Sequence, residues 1–222
     1  MRRFTRFLFR LMVGFIGLSL ALVLLFKFVP VPITATMIMN GDGITKDWEP
    51  LSDIDRNMVR AVIAAEDGKY CSHDGFDREA IEEAIEENAK GGRIRGGSTI
   101  SQQTVKNLFL WQGRSWLRKS LEAVWTPVAE AVWPKRRILE LYLNEIEFGE
   151  GVFGVEAAAR HYFGVSAADL SDTQAARLAM VLPDPKDRDA ANPTDTQRRR
   201  TRSIMDGAAT IAADGRAACF QS

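Results

Sequence analysis

Histidine and cysteine are nearly absent from this chain, with two of each among 222 residues. His73 and His161 lie far apart, so no metal-ligating cluster is visible and no metal site is expected. Cys71 and Cys219 are too few and too distant in sequence to make a disulfide framework. A thiol nucleophile at Cys71 is conceivable, but the expected role is a small buried filler. Net charge is missing too, because 29 Lys and Arg balance 29 Asp and Glu. The balance is uneven: residues 1–27 carry Arg2, Arg3, Arg6, Arg10 and Lys27 and no acid, which leaves 24 basic residues against 29 acidic ones elsewhere. A mildly acidic remainder argues against a general nucleic-acid binder. Repeats and low-complexity tracts are also absent.

What the N-terminus has instead is an uncharged run from Leu11 to Phe26, extended by Phe28 and Val29. With the flank from Phe7 it is long enough to span a bilayer, Lys27 snorkelling at one end. A cleaved signal peptide shares the basic start and apolar run, but no small-residue cleavage site follows closely. The expectation is an uncleaved signal-anchor over 1–30, its arginines cytoplasmic and the rest exported. Residues 31–50, with Pro32 and Pro50, are expected as a stalk, and 51–222 as the main domain.

Beyond residue 50 the apolar spacing is helical almost throughout. Asp77 is placed to cap one helix, which stops at Gly91-Gly92, and Ser98 to cap the next. Ser115 opens a third, with Leu117, Leu121, Val124, Trp125, Val128 and Val132 on one stripe. Pro134 suits the first turn of a fourth, apolar enough to be central. Ser171 to Gln174 spell a capping box before a helix that Pro183 ends. Residues 195–217 predict a last helix, after which the chain is expected to fray. A short hairpin or turn is expected near residues 35–45.

Within this frame Glu66 is out of place. It falls on the stripe of Met58, Val59, Val62 and Ile63, and a carboxylate aimed at a core either finds a partner or has its pKa raised. An ordinary hydrogen-bond acceptor, or a helix-end residue turned to solvent, would also fit there. The surrounding residues bear on that choice. Glu66-Asp67, Tyr70, His73 and Gly75 are followed by Gly97-Ser98-Thr99-Ile100-Ser101-Gln102-Gln103, by Arg118-Lys119-Ser120-Leu121-Glu122, by KRRILELYLN from Lys135 and by AAARHYFG from Ala157. In order and spacing these five segments resemble the five signatures of the peptidoglycan glycosyltransferases, glycosyltransferase family 51. Tyr70 in place of Phe and Ser101 in place of Thr are small departures. Cys71 and Ser72 occupy variable positions. With no room for a second catalytic domain, the chain resembles the monofunctional enzymes rather than the bifunctional penicillin-binding proteins.

The resemblance implies a mainly α fold: a lysozyme-like helical lobe and a small membrane-proximal jaw lobe, preceded by one transmembrane helix. It implies polymerisation of lipid II onto a growing lipid-linked glycan, with Glu66 as catalytic base and Glu122 as a second carboxylate near the donor. Asp67, Ser98, Thr99, Gln102, Gln103, Lys106, Arg114, Arg118 and Lys119 then line up as substrate-binding residues, the cations around pyrophosphate. No tightly bound cofactor is expected; whether Mg2+ or Mn2+ assists at the pyrophosphate is left open. Proteins of a division or elongation complex are the expected partners. Tyr142, Asn144, Tyr162 and Phe163 are assigned to structure. Phe109, Trp111, Trp116 and Leu117 flank the cations, and some are expected to dip into the headgroup layer. Two rivals stand beside this reading: a lysozyme-like enzyme that cleaves glycan with carboxylates, and a non-enzymatic membrane scaffold.

Overall fold

A computed structural model of the chain describes residues 2–41, 43–91, 97–113 and 115–221. Helix α1 (Arg2–Phe26) is long and apolar enough to cross a membrane, about 37 Å at 1.5 Å per residue. Its large side chains, Phe4 through Leu25, are mostly exposed, as suits a helix whose solvent is lipid.

The last turn of α1 is not a free tether. The final carbonyls of a helix have no partners within it, and here other elements supply them. The Trp133 indole N–H donates to the Val23 carbonyl (2.7 Å), Arg137 Nε–H to that of Phe26 (2.8 Å), and a second guanidinium N–H to Val29. The Lys46 ammonium takes the carbonyl of Val31. Val23 and Phe26 are buried with the main core, and the Phe26 ring stacks on Phe109 at 6.4 Å. Residues 31–50 also pack closely. Val31 and Met37 are buried, and α2 (Ala35–Met39) occupies the place where a hairpin was expected.

The hairpin lies elsewhere. β2 (Glu147–Gly149) pairs antiparallel with β3 (Val152–Phe153), and β1 (Thr45–Lys46) joins β3 in parallel, giving the order β1-β3-β2. Gly151 (φ 71°) supplies the positive φ that the tight turn needs.

Helices α3 (Arg56–Glu66), α9 (Asp172–Val181) and α10 (Asp195–Ala213) pack together. A second group is formed by α5 (Ile100–Phe109), α6 (Trp116–Val132) and α7 (Lys135–Glu145). The remaining helices are α4 (Arg78–Ala89), α8 (Val155–Phe163) and α11 (Ala218–Gln221). As its composition suggested, α7 is central: Ile138, Leu139, Leu141, Tyr142 and Leu143 are fully buried. The fold is mainly α, as expected.

Four local expectations need correction. The cap of α5 is Thr99 rather than Ser98. Leu117 and Val124 are 66% and 63% exposed, because the inner face of α6 runs through Glu122, Trp125, Thr126 and Ala129 instead. A carboxylate on that inner face is what misled an apolar count. Residues 218–221, where fraying was expected, form α11. Finally, Cys71 and Cys219 are not fillers; they form a disulfide.

Candidate active site

The site begins at the end of α3. Asp55 caps this helix by accepting from the Asn57 N–H (2.8 Å), and Met58, Val59, Val62 and Ile63 bury its inner face. That face carries Glu66, the last helical residue, to the boundary between the two helix groups. Its partly buried carboxylate accepts one hydrogen bond, from Gln103 Nε2–H on α5 (2.9 Å). Since a carboxylate only accepts, Gln103 presents its amide N–H to Glu66 and its oxygen to the Tyr142 hydroxyl, which donates over 3.3 Å. Burial raises the Glu66 pKa above the ordinary value; the Gln103 bond and the more distant charges of Arg200 and Arg188 oppose the shift, and Asp67 adds to it.

Around Glu66, several expected substrate residues turn out to hold the scaffold. Asp67 is buried; one oxygen pairs with His73 Nε2 (2.8 Å) and the other accepts from the Ile100 N–H (3.0 Å), at the start of α5. The Gly75 N–H donates to His73 Nδ1 (3.2 Å), so the neutral ring keeps its proton on Nε2 for Asp67. Thr99 and Gln102 are buried in a reciprocal capping box, and the Thr99 hydroxyl also donates to the Gly75 carbonyl (2.7 Å). Gly75 (φ 91°) packs so tightly on α6 that a Cβ would lie 2.7 Å from a Thr126 methyl. These contacts give Asp67, Thr99 and Gln102 a positioning task. With α5 so fixed, its partly exposed positions fall every third residue, at Gln103, Lys106 and Phe109.

The cations gather on α5 and α6. Ser115 caps α6 by accepting from the Arg118 N–H (3.0 Å). One turn in, buried Glu122 is held between Arg118 (2.8 Å) and Lys119. Arg118 also donates to the Gly113 carbonyl (2.8 Å), and Lys119 to the Ser98 hydroxyl (3.0 Å). Lys106 belongs to the same neighbourhood. Burial lowers its pKa, Arg118 and Lys119 push the same way, and Glu122 and Glu66 push back. Arg114, expected in this set, lies outside the described residues, as does 92–96 of the glycine-rich loop. Among the described residues, no three of His, Cys, Asp and Glu come together as a metal-ligand set.

Gln103 and Lys106 open onto a cavity of about 560 Å³, closed on other sides by α2 and the 182–187 segment. Tyr142 and Arg200 were not singled out as site residues from the sequence. Tyr142 sits among apolar neighbours on α7. Arg200 comes from α10 and donates to the Ala65 carbonyl (3.2 Å), beside Glu66. The motif residues Asn144 and Tyr162 are structural as assigned: Asn144 brackets the backbone of Glu49, and the Tyr162 hydroxyl donates to the Phe148 carbonyl (3.1 Å).

A desolvated carboxylate able to take a proton, near a group of cations able to stabilise an anion, suits transfer from a charged leaving group. Comparisons with known proteins give the family. The transglycosylase family model matches residues 34–209. A biosynthetic peptidoglycan transglycosylase of Jannaschia sp. is 56% identical over 218 residues, 97% of this chain and 90% of the relative. Those of Caulobacter vibrioides and Pseudomonas fluorescens are 48% identical over 200 residues (89% and 87% of the two chains) and 53% over 202 (87% and 82%). The chain therefore belongs to the transglycosylase family, as a glycosyltransferase of peptidoglycan synthesis.

Proposed function

We propose that the chain polymerises lipid II, with Glu66 as general base. The growing glycan, still on undecaprenyl pyrophosphate, is the donor. The 4-hydroxyl oxygen of the lipid II GlcNAc attacks the donor anomeric carbon, and the bond from that carbon to the pyrophosphate oxygen breaks. Glu66 takes the hydroxyl proton, and the lipid pyrophosphate leaves among Lys106, Arg118 and Lys119. Desolvation suits Glu66 to this task, because a raised pKa makes a carboxylate a better proton acceptor near neutral pH. The observation that carries the reading is the open face of α5, where Gln103, the donor to Glu66, and Lys106 stand three residues apart and line one cavity, with α5 packed on the helix that carries Arg118 and Lys119. A hydrolase would have no use for such a clamp. No step is routed through a divalent ion; chelation during the assay tests whether Mg2+ or Mn2+ assists.

The same proposal places α1 in the inner membrane with its arginines in the cytoplasm and the catalytic domain on the outer side. The Cys71–Cys219 bond supports that side, since disulfides persist in oxidising compartments.

Labelled lipid II incubated with the purified chain, wild type beside Glu66→Gln, tests the mechanism. Glycan strands from wild type alone are expected. Strands from both would remove Glu66 as base, and digestion of added glycan strands would favour the hydrolase.

A further inference from the structure

We infer that the Cys71–Cys219 disulfide and the α11 helix around it clamp the catalytic loop, so that full turnover requires the oxidised pair. The inference rests on Glu66 being the base. Residues 67–73 follow Glu66 directly and decide two things about it. They set the direction of its backbone, and through Asp67 they hold the Ile100 N–H, hence the start of the helix whose Gln103 hydrogen-bonds Glu66. A displacement of this loop moves the base and its donor together.

The loop is held from two sides. On the inner side, buried Tyr70 donates its hydroxyl to the Lys135 carbonyl (2.8 Å), and the Lys135 ammonium lies 4.6 Å from the ring centre. On the outer side, the ties come from the other end of the chain. Arg216 donates to the Gly68 carbonyl (3.1 Å), and Cys71, on the turn Tyr70–Ser72, is bonded to Cys219 across 148 residues of sequence. Those ties pull on something firm. Ala217 and Phe220 are buried, and the Phe220 carbonyl accepts from Arg136 on α7 (3.2 Å). A helix of four residues has no stability of its own in water, so α11 exists only because it is docked. Gly68 and Lys69 are exposed; the Lys69 ammonium pairs with the exposed Glu79 of α4, and the Arg216 and disulfide ties restrain the backbone on either side.

Both cysteines are half-buried and within reach of a dithiol, which would reduce the disulfide to two thiols and itself become oxidised. The test uses the full chain in detergent with labelled lipid II, assayed oxidised, after dithiothreitol, and after reoxidation. Reduction is expected to lower kcat about tenfold, inside the hundredfold that a 1 Å misplacement can cost. KM should stay within about twofold, since the cation set is untouched, and the acid limb of the pH profile should shift. Reoxidation should restore both, and a Cys71→Ser/Cys219→Ser double variant should be slow and indifferent to dithiothreitol. A reduced chain with full kcat and an unmoved pH profile overturns the clamp. So does finding two free thiols in the fully active protein. Should reduction unfold the chain by circular dichroism, Arg216→Ala carries the test: it cuts the Gly68 tie together with the exposed Arg216–Asp214 ion pair and keeps the disulfide. Lower kcat at constant KM, with Asp214→Ala as the control that cuts the ion pair, leaves the Gly68 tie and keeps full kcat, then supports the clamp, and unchanged kcat and pH profile overturn it. An oxidised wild type inert on lipid II would overturn the substrate reading as well, whereas an active wild type indifferent to redox state overturns the clamp alone.

Discussion

Glu66 and Glu122 are the same side chain in opposite surroundings. Glu66 has one neutral hydrogen-bond donor, Gln103, and its cations, Arg200 and Arg188, act from a distance. Glu122 is more deeply buried yet touches two cations, Arg118 and Lys119. Burial without a contacting charge raises a carboxylate's proton affinity; burial between two cations leaves it an anion that holds those cations in place. The difference separates the tasks: Glu66 is equipped to exchange a proton, and Glu122 to organise positive charge. Lys106, whose proton affinity both carboxylates raise, shares the open face of α5 with Gln103.

The sharpest way to break that contrast is to remove the proton acceptor. Glu66→Gln keeps an oxygen for Gln103 to donate to and is expected to lower polymerisation by about 10²–10⁴-fold, the usual worth of a general base. Lys106→Met removes the cation whose proton affinity both carboxylates raise. A loss of about 10²-fold is expected, the scale of one oriented charge at a developing anion, with weaker binding of pyrophosphate-bearing ligands in a direct titration.

A pH profile sharpens the comparison without a mutation. Because Glu66 must be ionised to act and its pKa is raised, kcat/KM should climb at a pH above the ordinary carboxylate range. Tyr142→Phe, which removes the donor that orients Gln103, should lower kcat several-fold, on the order of one hydrogen bond of about 1 kcal/mol. It should also move that limb; an unmoved limb would leave Tyr142 a packing residue.

The smallest effects are on stability. Ionising Glu66 costs the native state, a penalty absent below the ordinary carboxylate range and complete above the raised pKa. Glu66→Gln should therefore raise Tm at pH 8 by about 2 °C, in keeping with roughly 1 kcal/mol in a domain of this size. The gain should fade toward pH 4. Glu122→Gln should instead lower Tm, because it leaves Arg118 and Lys119 without the acceptor they share. Thermal scans of the two variants side by side at both pH values check the pair.

Much of this was legible because the relevant signals are local. The stripe that carries Glu66, the capping box at Ser171 and the residues within each of the five motifs all sit within a few turns of helix. Other features depend on segments far apart in sequence. Thr99 displaced Ser98 as the cap because its hydroxyl also reaches Gly75, 24 residues earlier. Asp67 and Thr99 were expected to face substrate, and the folded chain also gives them distant backbone partners, the Ile100 N–H and the Gly75 carbonyl. Arg200 was invisible among the arginines of α10 until that helix packed on α3.

By itself, the sequence determined a mainly helical chain with one membrane-length helix and the ordered motifs of a family, Glu66 in the first of them. Periodicity and motif order are properties of neighbouring residues, and they survive without a three-dimensional frame. The tertiary structure decided the environments. It set Gln103 against Glu66, placed two cations on Glu122, fastened the end of α1 through Trp133 and Arg137, and brought Cys219 to Cys71. Proton affinity, charge pairing and cross-linking depend on distances through space, and those distances exist only once the helices have packed.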